Sequence, residues 1–127
     1  MTNQKKLLIA EDDTVLRDLY LRKFDPSVYA IRTATNGQEA VEEITKEKPD
    51  LVLLDINMPV LDGFGVLERI PKAERSFPVI ILTNFDDQAN RERGKGYEVT
   101  DYFVKKDMTV KSLVAMVEKL LGTGNPA

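Results

Sequence analysis

The chain alternates short aliphatic runs with longer segments whose apolar residues recur at helical spacing. The runs are LLIA (7–10), VYAIRTA (28–34), LVLLD (51–55), VIILT (79–83) and DYFVK (101–105). Three of these runs lack polar alternation, which is typical of parallel strands that are covered on both faces. The second run alternates more, so we predict that it lies at an edge of the sheet.

Five helices are predicted around these strands, most of them with one apolar face. Thr109 stands as the N-cap of the last helix, which has the clearest stripe. Residues 86–95 form the fourth helix, in which only Ala89 is an apolar anchor, so we expect it to be the least firmly held element. The apolar faces of the other four are Leu16, Leu19, Tyr20 and Phe24; Ala40, Val41 and Ile44; Phe64, Leu67 and Ile70; and Val110, Leu113, Val114, Val117 and Leu121.

Five strands alternating with five helices predict a doubly wound α/β domain with a parallel sheet and right-handed crossovers. The strand order 2-1-3-4-5 is assumed from this fold class. A chain of 127 residues suffices for one domain with a proper core. We therefore expect a single domain over 1–127, with its core at about 5–121 and a flexible tail or the start of a linker at 122–127.

The composition narrows the expected partners and location. The net charge is −3, with 43% hydrophobic and 31% charged residues, as in an ordinary globular protein. This charge does not favour direct binding of nucleic acid or of an acidic membrane surface. No apolar run approaches the roughly 18 residues of a membrane span, and the N-terminal apolar stretch is too short for a signal peptide. We take a cytoplasmic location as the expectation.

The sequence contains neither cysteine nor histidine. The first absence removes disulfides, thiolate metal sites and thiol nucleophiles. The second removes the commonest general base and the commonest transition-metal ligand. Any chemistry must therefore run on carboxylates, hydroxyls, amides and lysines.

Polar side chains with complementary chemistry follow four of the predicted strands. In open α/β sheets, sites form beyond the carboxyl ends of the strands. With the assumed strand order, the first and third strands are neighbours, so Asp12 and Asp55 should face each other at this edge. The residues concerned are Glu11, Asp12 and Asp13 after the first strand, Asp55 after the third, Thr83 at the end of the fourth and Lys105 at the end of the fifth.

Such clustered carboxylates call for a neutralising partner. Two like charges about 5 Å apart repel by roughly 3 kcal/mol at an effective dielectric near 20. The oxygen ligands suit Mg²⁺, or Mn²⁺, rather than zinc or copper. Because Mg²⁺ takes few carboxylates and shares phosphate oxygens, we predict a pocket for a metal and a phosphoryl group. Thr83 and Lys105 would hold the phosphoryl oxygens, and Asp55 would be the nucleophile that becomes an aspartyl phosphate.

Each of these residues also has a structural interpretation. Asp12 and Asp13 precede a helix and are suited to cap it. Asp55 is placed to form an Asx-turn, Thr83 is an ordinary strand residue, and Lys105 is an ordinary solvated lysine at a sheet edge. Four complementary strand ends on one rim favour the site over these separate explanations.

From Lys5 to Leu121 the chain resembles the receiver domain of bacterial two-component response regulators. The matching stretches are LLIAEDD, LVLLDINMPVLDGFGVLERI, VIILTN and DYFVKKD. The string Asp-x-x-Met-Pro-x-x-Asp-Gly after a strand is the most specific of them. The resemblance implies a flavodoxin-like fold and a switch controlled by phosphorylation.

The resemblance also implies the role of each site residue. Asp55 would accept a phosphoryl group from a phosphohistidine on a histidine kinase or a histidine phosphotransfer protein. Asp12 and Asp55 would bind Mg²⁺, with Glu11 acting through water and the backbone carbonyl of Asn57 completing the protein ligands. Tyr102 would be the switch aromatic that changes rotamer together with Thr83.

The resemblance further implies the roles of neighbouring loop residues. Asp13 would cap the first helix. Asp62 and Gly63 would open the third helix, with the glycine relieving a backbone conformation, and Met58 and Pro59 would shape the turn beneath the site.

Three positions depart from the family pattern. Asn84 stands where a small residue commonly follows the threonine, and we expect its bulk to modulate access to the phosphoryl group. Lys106 stands where a proline commonly follows the lysine, so the geometry of that peptide bond is open. Glu98 stands where glycine is common before the switch aromatic.

The basic residues of the fourth helix, Arg91, Arg93 and Lys95, form either a docking patch or, as we favour, a solvated face.

The fourth helix, fifth strand and fifth helix would form the surface that passes the signal to an unknown effector protein. A homodimer could form through the same surface. Residues 122–127 are too few for an effector domain, so the chain is either a free-standing receiver or a piece of a longer protein.

Two other functions stay open. One is a receiver-like binding module that works without phosphorylation. The other is a small Mg²⁺-dependent phosphohydrolase, although Asn57 replaces its second carboxylate and no cap insertion is present. As a receiver, the protein would catalyse only its own phosphorylation and dephosphorylation.

Overall fold

A computed structural model describes residues 4–84, 88–106 and 108–123. Strands and helices alternate throughout, with one short 3₁₀ helix at Lys72–Glu74. The strands are β1 (Lys5–Ala10), β2 (Tyr29–Ala34), β3 (Leu51–Asp55), β4 (Val79–Thr83) and β5 (Asp101–Val104), and the helices are α1 (Thr14–Lys23), α2 (Gly37–Lys46), α3 (Gly63–Arg69), α4 (Gln88–Gly96) and α5 (Val110–Leu121).

The five strands form one parallel sheet in the order β2-β1-β3-β4-β5. This confirms the predicted doubly wound fold, including the position of β2 at an edge. The pairings Asp55 with Leu82 and Thr83 with Val104 bring the ends of β3, β4 and β5 to the same rim. β1 pairs with β3, so the residues that follow β1 reach that rim as well.

The core has two parts, one on each face of the sheet. Leu8 and Ala10 of β1 pack with buried residues of α2 and α3. Leu7 and Ile9 point to the opposite face and pack with buried residues of α1 and α5. This alternation follows from the period of two along a strand. Because both faces are covered, every residue of β3 and β4 is buried, as the lack of polar alternation in these runs predicts.

Side chains from the preceding loops cap four of the helices. Asp13 accepts hydrogen bonds from the backbone N–H groups of Val15 and Leu16 at the start of α1. Thr109 accepts one from Ser112 at the start of α5. Both caps were predicted from the sequence and are confirmed. The structure adds two more, from Asn36 to α2 and from Asp62 to α3.

The predicted anchor of α4 is wrong. Ala89 is exposed, and Gly94 is the buried residue of this helix. α4 packs against the sheet through Gly94 because the absence of a side chain lets the helix backbone approach Tyr102 of β5 closely. Residues 86 and 87, which the prediction included in this helix, lie outside the described residues.

The role expected for Gly63 also needs correction. Among the described residues only Val60, Glu98 and Gly122 have positive φ angles, so Gly63 relieves no left-handed conformation. Instead, a Cβ atom at this position would lie 2.6 Å from the carbonyl oxygen of Asp55 and 2.8 Å from Cα of Ile56. Gly63 is therefore required by the close approach of α3 to the end of β3.

The remaining departures concern two connections. No cis peptide bond occurs in the described parts of the chain, which include Lys105 and Lys106. Gly122 caps α5 in a left-handed conformation, and the hydroxyl of Thr123 lies 2.5 Å from that of Tyr29. The first two residues of the predicted tail are thus held by the domain, and residues 124–127 lie outside the described residues.

Across the described helices, none has the length and apolar character needed to cross a membrane.

Replacing Gly63 by alanine should lower the free energy of unfolding by about 1–3 kcal/mol, because the new methyl group overpacks the end of β3. Gly96→Ala is the matched control, since no atom lies within 4 Å of a Cβ there and alanine favours a helix. Urea unfolding followed by circular dichroism measures both effects. Equal unfolding midpoints for Gly63→Ala and the unsubstituted chain would contradict this packing argument.

Candidate functional site

The candidate site lies at the carboxyl ends of β1, β3, β4 and β5. Backbone hydrogen bonds continue past the strands and hold the site residues in place. The N–H of Glu11 donates to Ala34, and the N–H of Lys105 donates to Thr83, at 3.0 and 2.7 Å. Glu11, Asp55 and Thr83 are almost fully buried, at 0%, 2% and 2% exposure, while Asp12 is exposed.

Three carboxylates converge at this rim. One oxygen from each of Glu11, Asp12 and Asp55 lies within 4.8 Å of the other two. The prediction that Asp12 and Asp55 face each other is therefore confirmed, and it follows from the pairing of β1 with β3. Oxygen ligands at this spacing fit a hard divalent cation such as Mg²⁺.

Lys105 reaches into the carboxylate cluster. Its Nζ lies 2.6 Å from Oε1 of Glu11 and 3.2 Å from Oδ2 of Asp55, and its side chain is only 8% exposed. The interpretation of Lys105 as a solvated edge lysine is therefore wrong. Oε1 of Glu11 is buried and receives no aligned hydrogen bond in the described parts of the chain, so Lys105 contributes mainly its charge there.

Opposing effects act on the pKa of the Asp55 carboxyl group. Burial, followed by the hydrogen-bonding contact and the repulsion with Glu11, raises its pKa from 3.8 to about 6. The charge of Lys105 and the N–H of Asn57, which donates to Oδ1 at 3.0 Å, act in the opposite direction. The contact with Asn57 is the Asx-turn considered from the sequence, so Asp55 both shapes its loop and belongs to the cluster.

The ammonium group of Lys105 is stabilised in its charged form. Burial by itself would lower the pKa of Lys105, but the contacts with Glu11 and Asp55 outweigh burial and raise it. The positive charge therefore persists at neutral pH. It offsets part of the mutual repulsion of the two buried carboxylates.

Two residues near the cluster were not identified as site residues from the sequence. Arg17 donates from Nη1 to the backbone carbonyl of Glu11 at 2.9 Å and so ties α1 to the loop after β1. Tyr20 is buried, and its phenol pKa is raised first by burial and then by Glu11 and Asp55. The sequence assigned Tyr20 to the apolar face of α1, and no local pattern distinguishes Arg17 from a solvated helix residue.

The structure keeps the hydroxyl of Tyr102 away from the carboxylates. This half-buried side chain donates from its hydroxyl to the backbone carbonyl of Arg91 in α4, at 2.9 Å. Burial raises the pKa of Tyr102, and the charge of Arg91 opposes that rise. Asn57 and Asn84 flank the cluster at exposed positions.

Arg91, Arg93 and Lys95 of α4 are all exposed, which confirms the solvated face, and two of them also contact aromatic rings. The guanidinium carbon of Arg91 lies 4.9 Å from the ring centre of Tyr102, and that of Arg93 lies 4.3 Å from the ring centre of Phe64. These are cation–π contacts made by exposed side chains. Lys95 is exposed, as expected of a solvated residue.

Comparison with known proteins agrees with this geometry. A family model described as the response regulator receiver domain matches residues 7–118. The probable transcriptional regulator ycf27 of Cyanophora paradoxa is 38% identical over 125 residues, covering 98% of this chain and 52% of the relative. The alkaline phosphatase synthesis transcriptional regulatory protein PhoP of Bacillus subtilis (strain 168) is 33% identical over 101 residues, covering 80% of this chain and 42% of the relative. The chain spans about half the length of the curated relatives it matches.

Solved structures share the fold. The receiver domain of the Francisella response regulator 1452 has a TM-score of 0.83 at 30% identity, covering 92% of this chain and 96% of that one. The chemotaxis protein CheY4 of Vibrio cholerae has a TM-score of 0.82 at 24% identity, covering 92% of this chain and 98% of that one. The second likeness concerns the fold alone.

Replacing Asp55 by asparagine should stabilise the metal-free protein at neutral pH. Because folding raises the pKa of Asp55 from 3.8 to about 6, the stability that this carboxyl group contributes is present below pH 4 and lost as the pH rises through 6. Asparagine is neutral throughout, so Asp55→Asn should raise the free energy of unfolding by about 1–3 kcal/mol at pH 7.5 and by much less at pH 4.5.

Urea unfolding at both pH values, without divalent ions, measures this difference. Asp18→Asn at an exposed position of α1 is the control and should change the free energy of unfolding little at either pH. A gain for Asp55→Asn that is equal at the two pH values would show that the charge of Asp55 is not what destabilises the cluster.

Proposed function

The chain belongs to the receiver domain family of response regulators, and we propose that it is a two-component signalling switch that is phosphorylated on Asp55. The observation that carries this proposal is the contact of one buried carboxylate, Asp55, with both a partner carboxylate and a lysine ammonium, 3.2 Å away. A structural carboxylate at a strand end needs neither. A phosphoryl acceptor needs both a cation site and a fixed positive charge.

In the proposed reaction a carboxylate oxygen of Asp55 attacks the phosphorus atom of a phosphohistidine. The new O–P bond forms as the P–N bond breaks, and the bond electrons leave with the donor imidazole, which is neutral once protonated. With a pKa of about 6, most Asp55 side chains are ionised at neutral pH and available as nucleophiles. Since the given sequence has no histidine, the donor imidazole lies outside this domain, on a histidine kinase or a histidine phosphotransfer protein.

The acidic cluster supports Mg²⁺ as the cofactor, with Mn²⁺ as a substitute. Asp12 and Asp55 would bind the ion together with the backbone carbonyl of Asn57, and Glu11 would act through water. When bound, the ion supplies positive charge that neutralises the phosphoryl oxygens and the crowded carboxylates. Asp12 is the accessible member of the set, which suits entry of a hydrated ion from solvent.

Lys105 and Thr83 complete the proposed machinery. The ammonium of Lys105 already contacts Oδ2 of Asp55. A phosphoryl group on that carboxylate would therefore lie close to the ammonium and form an ion pair with it. Thr83 is buried at the end of β4, where its hydroxyl would donate to a phosphoryl oxygen. Movement of Thr83 and a rotamer change of Tyr102 would then alter the surface formed by α4, β5 and α5.

The output and location follow from the same proposal. The names of the relatives favour control of transcription as the output. The signal would reach an effector protein or domain through the surface of α4, β5 and α5. Homodimerisation through that surface is one route. The net charge of −3 does not favour direct contact of this domain with DNA. We place this receiver domain in the cytoplasm and expect no enzymatic activity from it beyond its own phosphorylation and dephosphorylation.

Two alternatives have weaker support. A receiver-like binding module would not need to bury Glu11, Asp55 and Lys105 together, since an unneutralised carboxylate pair destabilises the fold. A Mg²⁺-dependent phosphohydrolase would need a second carboxylate as acid and base beside the nucleophile, and this loop carries the exposed Asn57 instead.

The unsubstituted protein should bind beryllofluoride, a phosphoryl mimic, only when Mg²⁺ is present, and Asp55→Ala should abolish this binding. Nuclear magnetic resonance titration measures binding, and size-exclusion chromatography of the same samples reports whether the domain dimerises. Asp18→Ala on the exposed face of α1 is the control and should bind normally. Unchanged binding by Asp55→Ala would refute the role of Asp55, and spectra that respond to neither Mg²⁺ nor beryllofluoride would favour the binding module.

Asn84 should prolong the aspartyl phosphate, because its exposed amide follows Thr83 directly and obstructs the in-line approach of water. Asn84→Ala should therefore shorten the lifetime of the phosphorylated protein. Loss of radiolabel after phosphorylation with a small-molecule phosphodonor measures that lifetime. A lifetime that is equal or longer in the variant would contradict this role.

A further inference from the structure

Tyr102 occupies a slot in α4 that exists because residue 94 is glycine. Gly94 is buried, and a Cβ atom built on it would lie 1.6 Å from the hydroxyl oxygen of Tyr102 and 2.7 Å from Cζ of its ring. Non-bonded atoms do not approach this closely. The observed conformer of Tyr102 is therefore compatible with glycine at position 94 and with no other residue there.

The slot also holds the ring by direct contacts with α4. The hydroxyl of Tyr102 donates to the carbonyl of Arg91 at 2.9 Å, and the guanidinium carbon of Arg91 lies 4.9 Å from the ring centre. Arg91 precedes Gly94 by three residues and so lies on the same side of the helix. Together Arg91 and Gly94, here called the Gly94 slot, bind the end of the Tyr102 side chain.

The same side chain is connected to the phosphoryl site through the sheet. Tyr102 pairs with Ile81 and Val104 pairs with Thr83, and residues two apart along a strand share a face. Tyr102 and Thr83 consequently lie on the face of the sheet that packs against α4. A ring that leaves the slot has the neighbourhood of Thr83 as its alternative on this face.

We propose that Gly94 is a positioning residue that sets the resting equilibrium of the switch by stabilising the conformer of Tyr102 bound to α4. The proposal rests on the proposed function, because the equilibrium it describes is that between the resting and phosphorylated forms. A ligand of the Asp55 site must release Tyr102 from the slot, so part of its binding energy is used to shift that population. Filling the slot removes this requirement.

The test is Gly94→Ala, with Gly96→Ala as the matched control. Both substitutions replace a glycine of α4 by a better helix former, but a Cβ at position 96 meets no atom within 4 Å. The clash at position 94 involves the far end of a side chain, which rotates more easily than backbone moves, so the variant should fold. Urea unfolding checks that both variants are folded.

Two measurements follow the two parts of the proposal. Ring signals of ¹³C-labelled tyrosine, assigned to Tyr102 with Tyr102→Phe, should move in Gly94→Ala without any ligand and stay in place in Gly96→Ala. Titration with beryllofluoride in the presence of Mg²⁺ should show about three- to tenfold tighter binding by Gly94→Ala than by the unsubstituted chain. Gly96→Ala should bind with unchanged affinity.

A double-mutant cycle separates the slot from a general effect on α4. When Tyr102 is replaced by alanine the clash disappears, so adding Gly94→Ala should leave the affinity for beryllofluoride unchanged. Ring signals that do not move in Gly94→Ala, or that move while the affinity stays the same, would overturn the proposal. Failure of the unsubstituted chain to bind beryllofluoride would instead refute the proposed function, and the ring signals would still decide whether the slot selects the conformer of Tyr102.

Discussion

The functional arrangement of this domain depends on two buried carboxylates, Glu11 and Asp55, sharing one ammonium group. Lys105 contacts both, at 2.6 and 3.2 Å, and the three side chains come from the ends of three different strands. The remaining negative charge is held there by the sheet, which pairs β1 with β3 and β3 with β4. With the exposed Asp12 included, three carboxylates face one ammonium group, an excess of two negative charges when all are ionised, which suits a divalent cation. If Mg²⁺ binds there as proposed, it would stabilise the folded domain.

Glycine lets secondary structure approach this site at two positions. Gly63 brings α3 against the carbonyl of Asp55, and Gly94 brings α4 against the ring of Tyr102. In both cases the structure needs the space that a methyl group would fill, rather than a left-handed backbone. The first approach fixes the loop that follows Asp55, the proposed phosphoryl acceptor. The second places the ring of Tyr102, the proposed switch aromatic, against α4.

α4 differs from the other helices in how it is attached. Its contacts with the rest of the domain include cation–π interactions of Arg91 with Tyr102 and of Arg93 with Phe64. Such contacts are weaker than the burial of an apolar stripe. α4 is therefore attached with less apolar burial than α5, whose stripe includes the buried residues Leu113 and Val117. That α4 is the least firmly held helix stays a prediction, and its predicted anchor, Ala89, is exposed.

Local patterns in the sequence determined the strands, most helix faces, the caps at Asp13 and Thr109, and the set of polar residues at the strand ends. These features follow from periods of two and 3.6 and from chain neighbours, so no distant contact is needed to recognise them. Tertiary structure alone decided that Lys105 is buried between two carboxylates, that Arg17 supports the loop of Glu11, and that α4 packs through Gly94. The physical reason is that distances between side chains on separate elements depend on strand register and on the space left by neighbouring residues. A pattern along the chain reveals which groups are present at the rim, whereas packing decides which of them touch.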